Sequence, residues 1–313
     1  MNLKKNAMAL ALSLGLGLSV GYASAEEIYI PLISKGFQHQ FWQVVKAGAE
    51  QAAKDLNVKV TFEGPESEAM VDKQIDMLAA AIAKKPAAIG YAALDSKAAI
   101  PMLKKAQAAN IPVICFDACV DSDIPLTLAA TDNVAASALA ADKMAELIGG
   151  SGDVAYLGSD QTQTTGITRR DGFMNQMKAK YPNIKVVSMQ FGGGDHLKST
   201  EIAKAVMQAN PNLKGYYGSN EGSIIGVLHA AKEMKRKLVI VGYDSGKEQK
   251  QAVADGLQAG AITQNPYGMG YKTVEAAVKA LKGEKLEKKI DTGFFWYDKN
   301  NMNDAKIAGV LYE

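Results

Sequence analysis

The chain has 313 residues, with 35 Lys and Arg against 33 Asp and Glu, enough for two domains of about 100 to 150 residues each. Two of the lysines, Lys4 and Lys5, sit in the leader described next; without them 33 bases face 33 acids and the remainder is neutral with His uncharged. That balance argues against nucleic acid or an anionic membrane surface as partner.

Residues 1–25 read as a secretory signal. Lys4-Lys5 precede an apolar run from Ala7 to Val20, then Ala23-Ser24-Ala25 ahead of Glu26: a small-residue cleavage site behind a run too short to span a bilayer comfortably. Cleavage is expected after Ala25. No Cys lies beside that site to carry a lipid, so the mature chain is expected free in a Gram-negative periplasm, retained by the outer membrane.

Strand-like and helix-like stretches then alternate. "IYIPLIS" leads into a helix through "FWQVVKAGAEQAAKDL", followed by "VKVTFEG", "EAMVDKQIDMLAAAIAKK", "AAIGYAA", "SKAAIPMLKKAQAAN" and "IPVICFD". After "TLAATDN" the rhythm starts again, with strands "DVAYLGS", "KVVSMQF", "LKGYYGS" and "KLVIVGYD" between helical segments. Short apolar runs without strict alternation predict parallel strands covered on both faces. The expected fold is α/β, two Rossmann-like units in series.

Cys115 and Cys119 are the two cysteines. In an oxidising compartment they bridge if the chain turns between them, and stay two buried thiols if it runs extended. No second Cys/His cluster accompanies them, so no metal is expected.

Ligands of parallel α/β sheets bind at the carboxyl ends of the strands. Those ends carry Ser34 to Trp42, Asp95, Asp117, Ser159 to Thr165, Gly192 to Asp195, Asn220 with Glu221, Tyr243 with Asp244, and Gln264. The set reads as acidic, carboxamide-bearing and aromatic, and short of Lys, which suits an uncharged polyol: rings take C–H faces, carboxylates take hydroxyl protons, and Asn, Gln or Arg donate to the oxygens. Phe41 and Trp42 open a helix, where neighbours point about 100° apart, so they are not expected to share one core stripe. Asp117 and Asp244 follow apolar strands and either face the cleft or cap the next helix. Asp95 has the same two readings. His196 and His229 read as structural, and "LKGEKLEKK" as a solvated face able to touch a membrane partner. "GGGD" lacks both a following Lys-Ser/Thr and the G-x-G-x-x-G spacing, so neither a nucleotide nor another cofactor is expected.

In this order "ISKGFQHQFW", "AALDSKA", "ANIPVICFDACVD", "AATDN", "GITRRDGF", "NPNLKGYYGSNEGSIIGVLHA", "VIVGYDSG", "GAITQNP" and "LKGEK" resemble the periplasmic sugar-binding proteins of ABC importers, specifically the ribose-binding-protein-like, type I group. The resemblance implies two lobes joined by a three-strand hinge near Thr131, Gln264 and Asp291. The first lobe takes residues 26–130 and 265–291, the second 131–264 and 292–313. It implies a monomer that traps one neutral hexose, pentose or polyol between closing lobes, delivers it to a permease, and in some members presents it to a chemoreceptor or sensor kinase. No catalysis is implied; the alternative is a glycosidase using Asp117 and Asp244 as its acid pair.

Matched position by position, the resemblance puts ring-stacking residues on Phe41 and Trp42, a polar contact on His39 or its neighbour Gln40, and the first-lobe acid on Asp117. Arg169 takes the family's arginine, with Arg170 the alternative, and Asn220, Asp244 and Gln264 complete the second-lobe contacts. Tyr243 is an added aromatic wall. Ala118 stands where the family usually has Arg, and "QFGGGDH" offers no second-lobe aromatic, so Asp195 is expected to reach in and a hexose or polyol is favoured over a pentose.

Overall fold

The computed structural model describes residues 27–312; the expected signal and its cleavage site lie outside the described residues. One series of elements comprises β1 (Tyr29–Ile33), α1 (Gln40–Leu56), β2 (Lys59–Glu63), α2 (Val71–Ala83), β3 (Ile89–Tyr91), α3 (Ile100–Ala108), β4 (Val113–Phe116) and β5 (Thr127–Ala130). A second follows: α4 (Asn133–Leu147), β6 (Gly152–Gly158), α5 (Thr164–Lys180), β7 (Ile184–Phe191), α6 (His196–Ala209), β8 (Leu213–Gly218), α7 (Glu221–Glu233), β9 (Val239–Tyr243), α8 (Lys247–Ala254) and β10 (Gly260–Gln264). The chain ends with α9 (Pro266–Leu281), β11 (Lys289–Asp291), β12 (Phe294–Tyr297) and α10 (Ala305–Ala308).

Two six-stranded sheets result, ordered β2-β1-β3-β4-β5-β11 and β7-β6-β8-β9-β10-β12. The two orders are the same pattern. Every pairing is parallel except β12, which runs antiparallel to β10. The chain passes from one sheet to the other after β5, after β10, and between β11 and β12, so three strands of chain connect the two lobes.

Each sheet is covered on both faces, and successive residues of one strand feed opposite cores. In β6, Val154 and Tyr156 join the cluster beneath α4 and α5, while Ala155 and Leu157 join the one beneath α6 and α7. In the first lobe Ile30 and Leu32 pack with α1 and α9, and Ile33 with α2 and α3. That arrangement is why the strands read as continuous apolar runs. Helix α9, which comes after the second lobe in sequence, returns to lie on α1, and the contact is backbone-close: a Cβ on Gly270 would stand 1.9 Å from the Val45 carbonyl oxygen, and one on Gly48 1.9 Å from that of Tyr267.

Candidate functional site

Strand ends of both sheets converge on one cavity, lined by Lys35, His39, Phe41, Trp42, Glu68 and Asp117 from the first lobe and Ser159, Arg169, Asn220, Glu221, Asp244 and Gln264 from the second. Each of these side chains belongs to a buried residue.

Asp117 and Asp244 hold equivalent places, one residue past β4 and one past β9, each in the left-handed region with φ of 57° and 77°. Asp tolerates that conformation better than most residues because its short polar chain finds local partners; here it turns each strand end so that the carboxylate faces the gap. After Asp117 the chain doubles back at once. The Ala118 N–H donates to the Phe116 carbonyl at 2.6 Å, and Cys115 and Cys119, with Cα atoms 5.4 Å apart, are disulfide-bonded across the turn. The bridged alternative therefore holds, and the staple sits directly around the acid.

The first lobe's half of the cavity is an ion cluster. Lys35 Nζ lies 3.0 Å from Asp117 Oδ2 and 3.7 Å from Glu68 Oε2, and donates across the gap to Gln163 Oε1 at 3.1 Å and Thr165 Oγ1 at 3.3 Å. Burial alone would push the Lys35 ammonium down, but Asp117 and Glu68 outweigh it and hold it above its ordinary value. Burial acts on Glu68 in the opposite sense and is likewise outweighed, by Lys35, His39 and the Trp42 indole, so Glu68 stays below the usual carboxylate range. Trp42 Nε1 donates to Glu68 Oε1 at 2.9 Å, and the Lys35 ammonium stands 5.7 Å from the indole centroid.

Two expectations are corrected here. The strand ends are not free of lysine: Lys35, inside the first loop, supplies a cation beside Asp117, so replacement of the family's Arg by Ala118 does not leave this half without one. Phe41 and Trp42 do share a core cluster. They pack edge to face at 4.9 Å, Phe41 reaching Tyr312 and Trp42 reaching Phe116, because the first turn of α1 lies where the core opens into the cavity and both directions are apolar.

In the second lobe Arg169 Nε donates to Asn133 Oδ1 at 2.8 Å and Nη1 to the Ser219 carbonyl at 3.0 Å, while the guanidinium lies 3.9 Å from the Tyr243 ring centroid. Tyr243 sends its hydroxyl to the same Asn133 oxygen at 2.8 Å. Tyr243 is thus not a wall of the cavity; it belongs to the core and carries Arg169 from behind. Arg170 turns outward and pairs with Asp171. Asp244 accepts from Gln264 Nε2 at 2.7 Å through Oδ1 and from the Glu221 N–H at 2.9 Å through Oδ2. Asn220 caps α7 by accepting from the Ser223 N–H at 3.1 Å and leaves its amide toward the cavity.

Three other expected residues lie elsewhere. Asp195 is exposed and spends its carboxylate on the Lys198 N–H at 2.7 Å as the N-cap of α6. Asp95 accepts from the Lys97 and Ala98 N–H groups at 2.7 and 2.8 Å, which ties it to the turn before α3. Gln40 latches the lobes together instead of lining the cavity: its Oε1 accepts from the Lys247 N–H at 2.7 Å. His39 takes the cavity position, and its ring stacks on that of His196 at 5.7 Å. His196 thus packs against the cleft mouth. Burial lowers both imidazoles below their ordinary value.

Lys35, Glu68, Ser159 and Glu221 line the cavity without having been singled out. Ser159, Glu221 and Lys35 fall within the strand-end stretches read from sequence; Glu68 sits in the loop after β2, "PESE", where nothing in the pattern marks it.

Residues 30–285 match the periplasmic binding protein domain. The chain belongs to the periplasmic binding protein family. Among curated relatives of this family it is 29 % identical over 275 residues to the D-allose-binding periplasmic protein of Escherichia coli K12, covering 85 % of this chain and 87 % of that one. Among solved structures it is similar to a carbohydrate transporter solute-binding protein from Agrobacterium radiobacter in complex with D-arabinose, at 35 % identity and a TM-score of 0.89, covering 92 % of this chain and all of the other. An ABC transporter solute-binding protein from Agrobacterium vitis with bound D-fucose is 33 % identical with a TM-score of 0.88, covering 91 % and 100 %. The ribose-binding-like, two-lobed α/β architecture expected from the motifs is therefore that of this periplasmic binding protein.

Proposed function

We propose that this chain is the solute-binding component of a sugar ABC importer, capturing one neutral monosaccharide between its lobes and handing it to a membrane permease. The observation that carries this reading is the convergence, in one cavity between the lobes, of the Phe41–Trp42 ring pair with hydrogen-bonding groups from both of them. A ligand that touches Asp117 and Trp42 on one side and Arg169, Asn220, Asp244 and Gln264 on the other binds the closed form better than the open one, which is the requirement for ligand-driven closure.

Calorimetric titration with D-arabinose, D-fucose, D-allose, D-ribose, D-tagatose and D-glucose tests the reading. One site per chain is expected for at least one of them; silence across the whole set rejects it. Incubation with nitrophenyl glycosides is expected to release no nitrophenol. Export by the leader at residues 1–25, a monomeric state, and presentation to a chemoreceptor or sensor kinase complete the proposal.

A further inference from the structure

Among the described residues, Glu221 is the cavity carboxylate that no permanent cation or side-chain donor neutralises. Its Oε1 faces the first turn of α1 on the opposite lobe, accepting from the Gln40 N–H at 3.2 Å with the Phe41 N–H also directed at it. Its Oε2 is buried and has no hydrogen-bond partner. The acids facing it are Asp244 from the same lobe and Glu68 from the other. His39 Nδ1 lies 3.9 Å away, but burial keeps that ring neutral.

The cavity's two permanent cations are committed elsewhere: Lys35 to Asp117 and Glu68, Arg169 to Asn133, Ser219 and the Tyr243 face. Glu221 and Asp244 are both buried, and the charge of Asp244 raises the Glu221 carboxyl; like charges in one buried site disfavour the second ionisation. Burial raises the Asp244 carboxyl too, but Asp244 has both oxygens in hydrogen bonds and Arg169 near it, whereas Glu221 Oε2 has no partner, so the charge sits better on Asp244 and the proton on Glu221 Oε2.

Resting on the sugar-binding reading above, we propose that Glu221 takes up a proton as the lobes close and binds the ligand as a neutral carboxylic acid, its Oε2–H donating to an oxygen of the sugar. The sugar's ring oxygen has no proton to give. Glu68, Asp117 and Asp244 can only accept, so an added donor on the second lobe completes the match. Burial, and then the charge of Asp244, push the Glu221 carboxyl up to about 8, against an ordinary value near 4.5 once α1 moves away and water enters.

The sign follows from that rise. Closure is helped by the proton at low pH, and the help is lost as pH climbs through about 8. The sugar that binds tightest in the screen above is titrated into the full chain at pH 7.5 in phosphate and in Tris, whose ionisation heats differ. An uptake of about 0.8 proton per site is expected, together with affinity about tenfold weaker at pH 9 than at pH 7. In Glu221→Gln the amide still donates but cannot titrate, so its affinity stays flat over that range. Sugar binding with no proton uptake overturns the proposal and leaves the sugar-binding reading standing, as does a Glu221→Gln protein that keeps the wild-type slope; no binding by any sugar overturns that reading and this one with it.

Discussion

At the scale of single residues the cavity is a ledger of donors and acceptors in which burial makes each unmatched group costly. His39 illustrates how closely the charges are set. Its ring is pushed toward the neutral form by burial, with His196 stacked on it, so closure is unaffected by His39 above its ordinary value near 6.5 and is opposed as pH falls below it. Glu221 acts in the other direction over the same acid range. Affinity in the native protein is therefore expected to rise as pH falls from 9 to about 6.5 and then to level off, whereas in His39→Gln it continues to rise toward pH 5. Fluorescence titration of the Trp42 signal at a series of pH values checks this; a variant that levels off like the native protein sinks it.

At the scale of elements, the site depends on strand ends being held in turns they would not keep alone. The loop carrying Asp117 is fixed by the bond between Cys115 and Cys119. Closing so short a loop is worth about 2 kcal/mol of unfolded-state entropy, and it also keeps the carboxylate aimed at Lys35. Replacing both cysteines by serine is expected to lower stability in urea by about that amount and to weaken sugar binding, while the second-lobe equivalent, Asp244, keeps its place without a staple because Tyr297 donates to its carbonyl at 3.0 Å and Gln264 to its side chain. Equal sugar affinity with and without the bond would show that the turn needs no help.

At the scale of the whole molecule, two lobes of like topology meet through side chains that belong to opposite sheets. Lys35 reaches Gln163 and Thr165, the Ser96 N–H donates to the Thr162 carbonyl at 3.1 Å, and Gln40 reaches Lys247. These bonds are few and polar, so the open and closed arrangements are expected to lie close in energy, with sugar tipping the balance. Small-angle scattering is expected to show a smaller radius of gyration with saturating sugar than without. Thermal unfolding should shift upward as well, by the equivalent of about 2.7 kcal/mol at a hundredfold excess over Kd. An unchanged scattering profile on binding would mean that capture does not involve closure.

The order of apolar runs and the polar residue after each strand were readable in one dimension, because strand burial, helix starts and strand-end turns are local properties with local signals. They determined an α/β fold in two halves; the family resemblance of the motifs then brought His39, Phe41, Trp42, Asp117, Arg169, Asn220, Asp244 and Gln264 forward and implied the return of the last segment to the first lobe. Only the folded chain decided that Lys35 and Glu68 enter the cavity and that Glu221 meets α1. Tyr243, Asp195, Asp95 and Gln40 found other partners for the same reason. Which neighbour a buried charge acquires depends on elements far apart in sequence, and the alternative partners open to a lone carboxylate, a cap, a core hydroxyl or a facing lobe, leave no mark on the residues beside it.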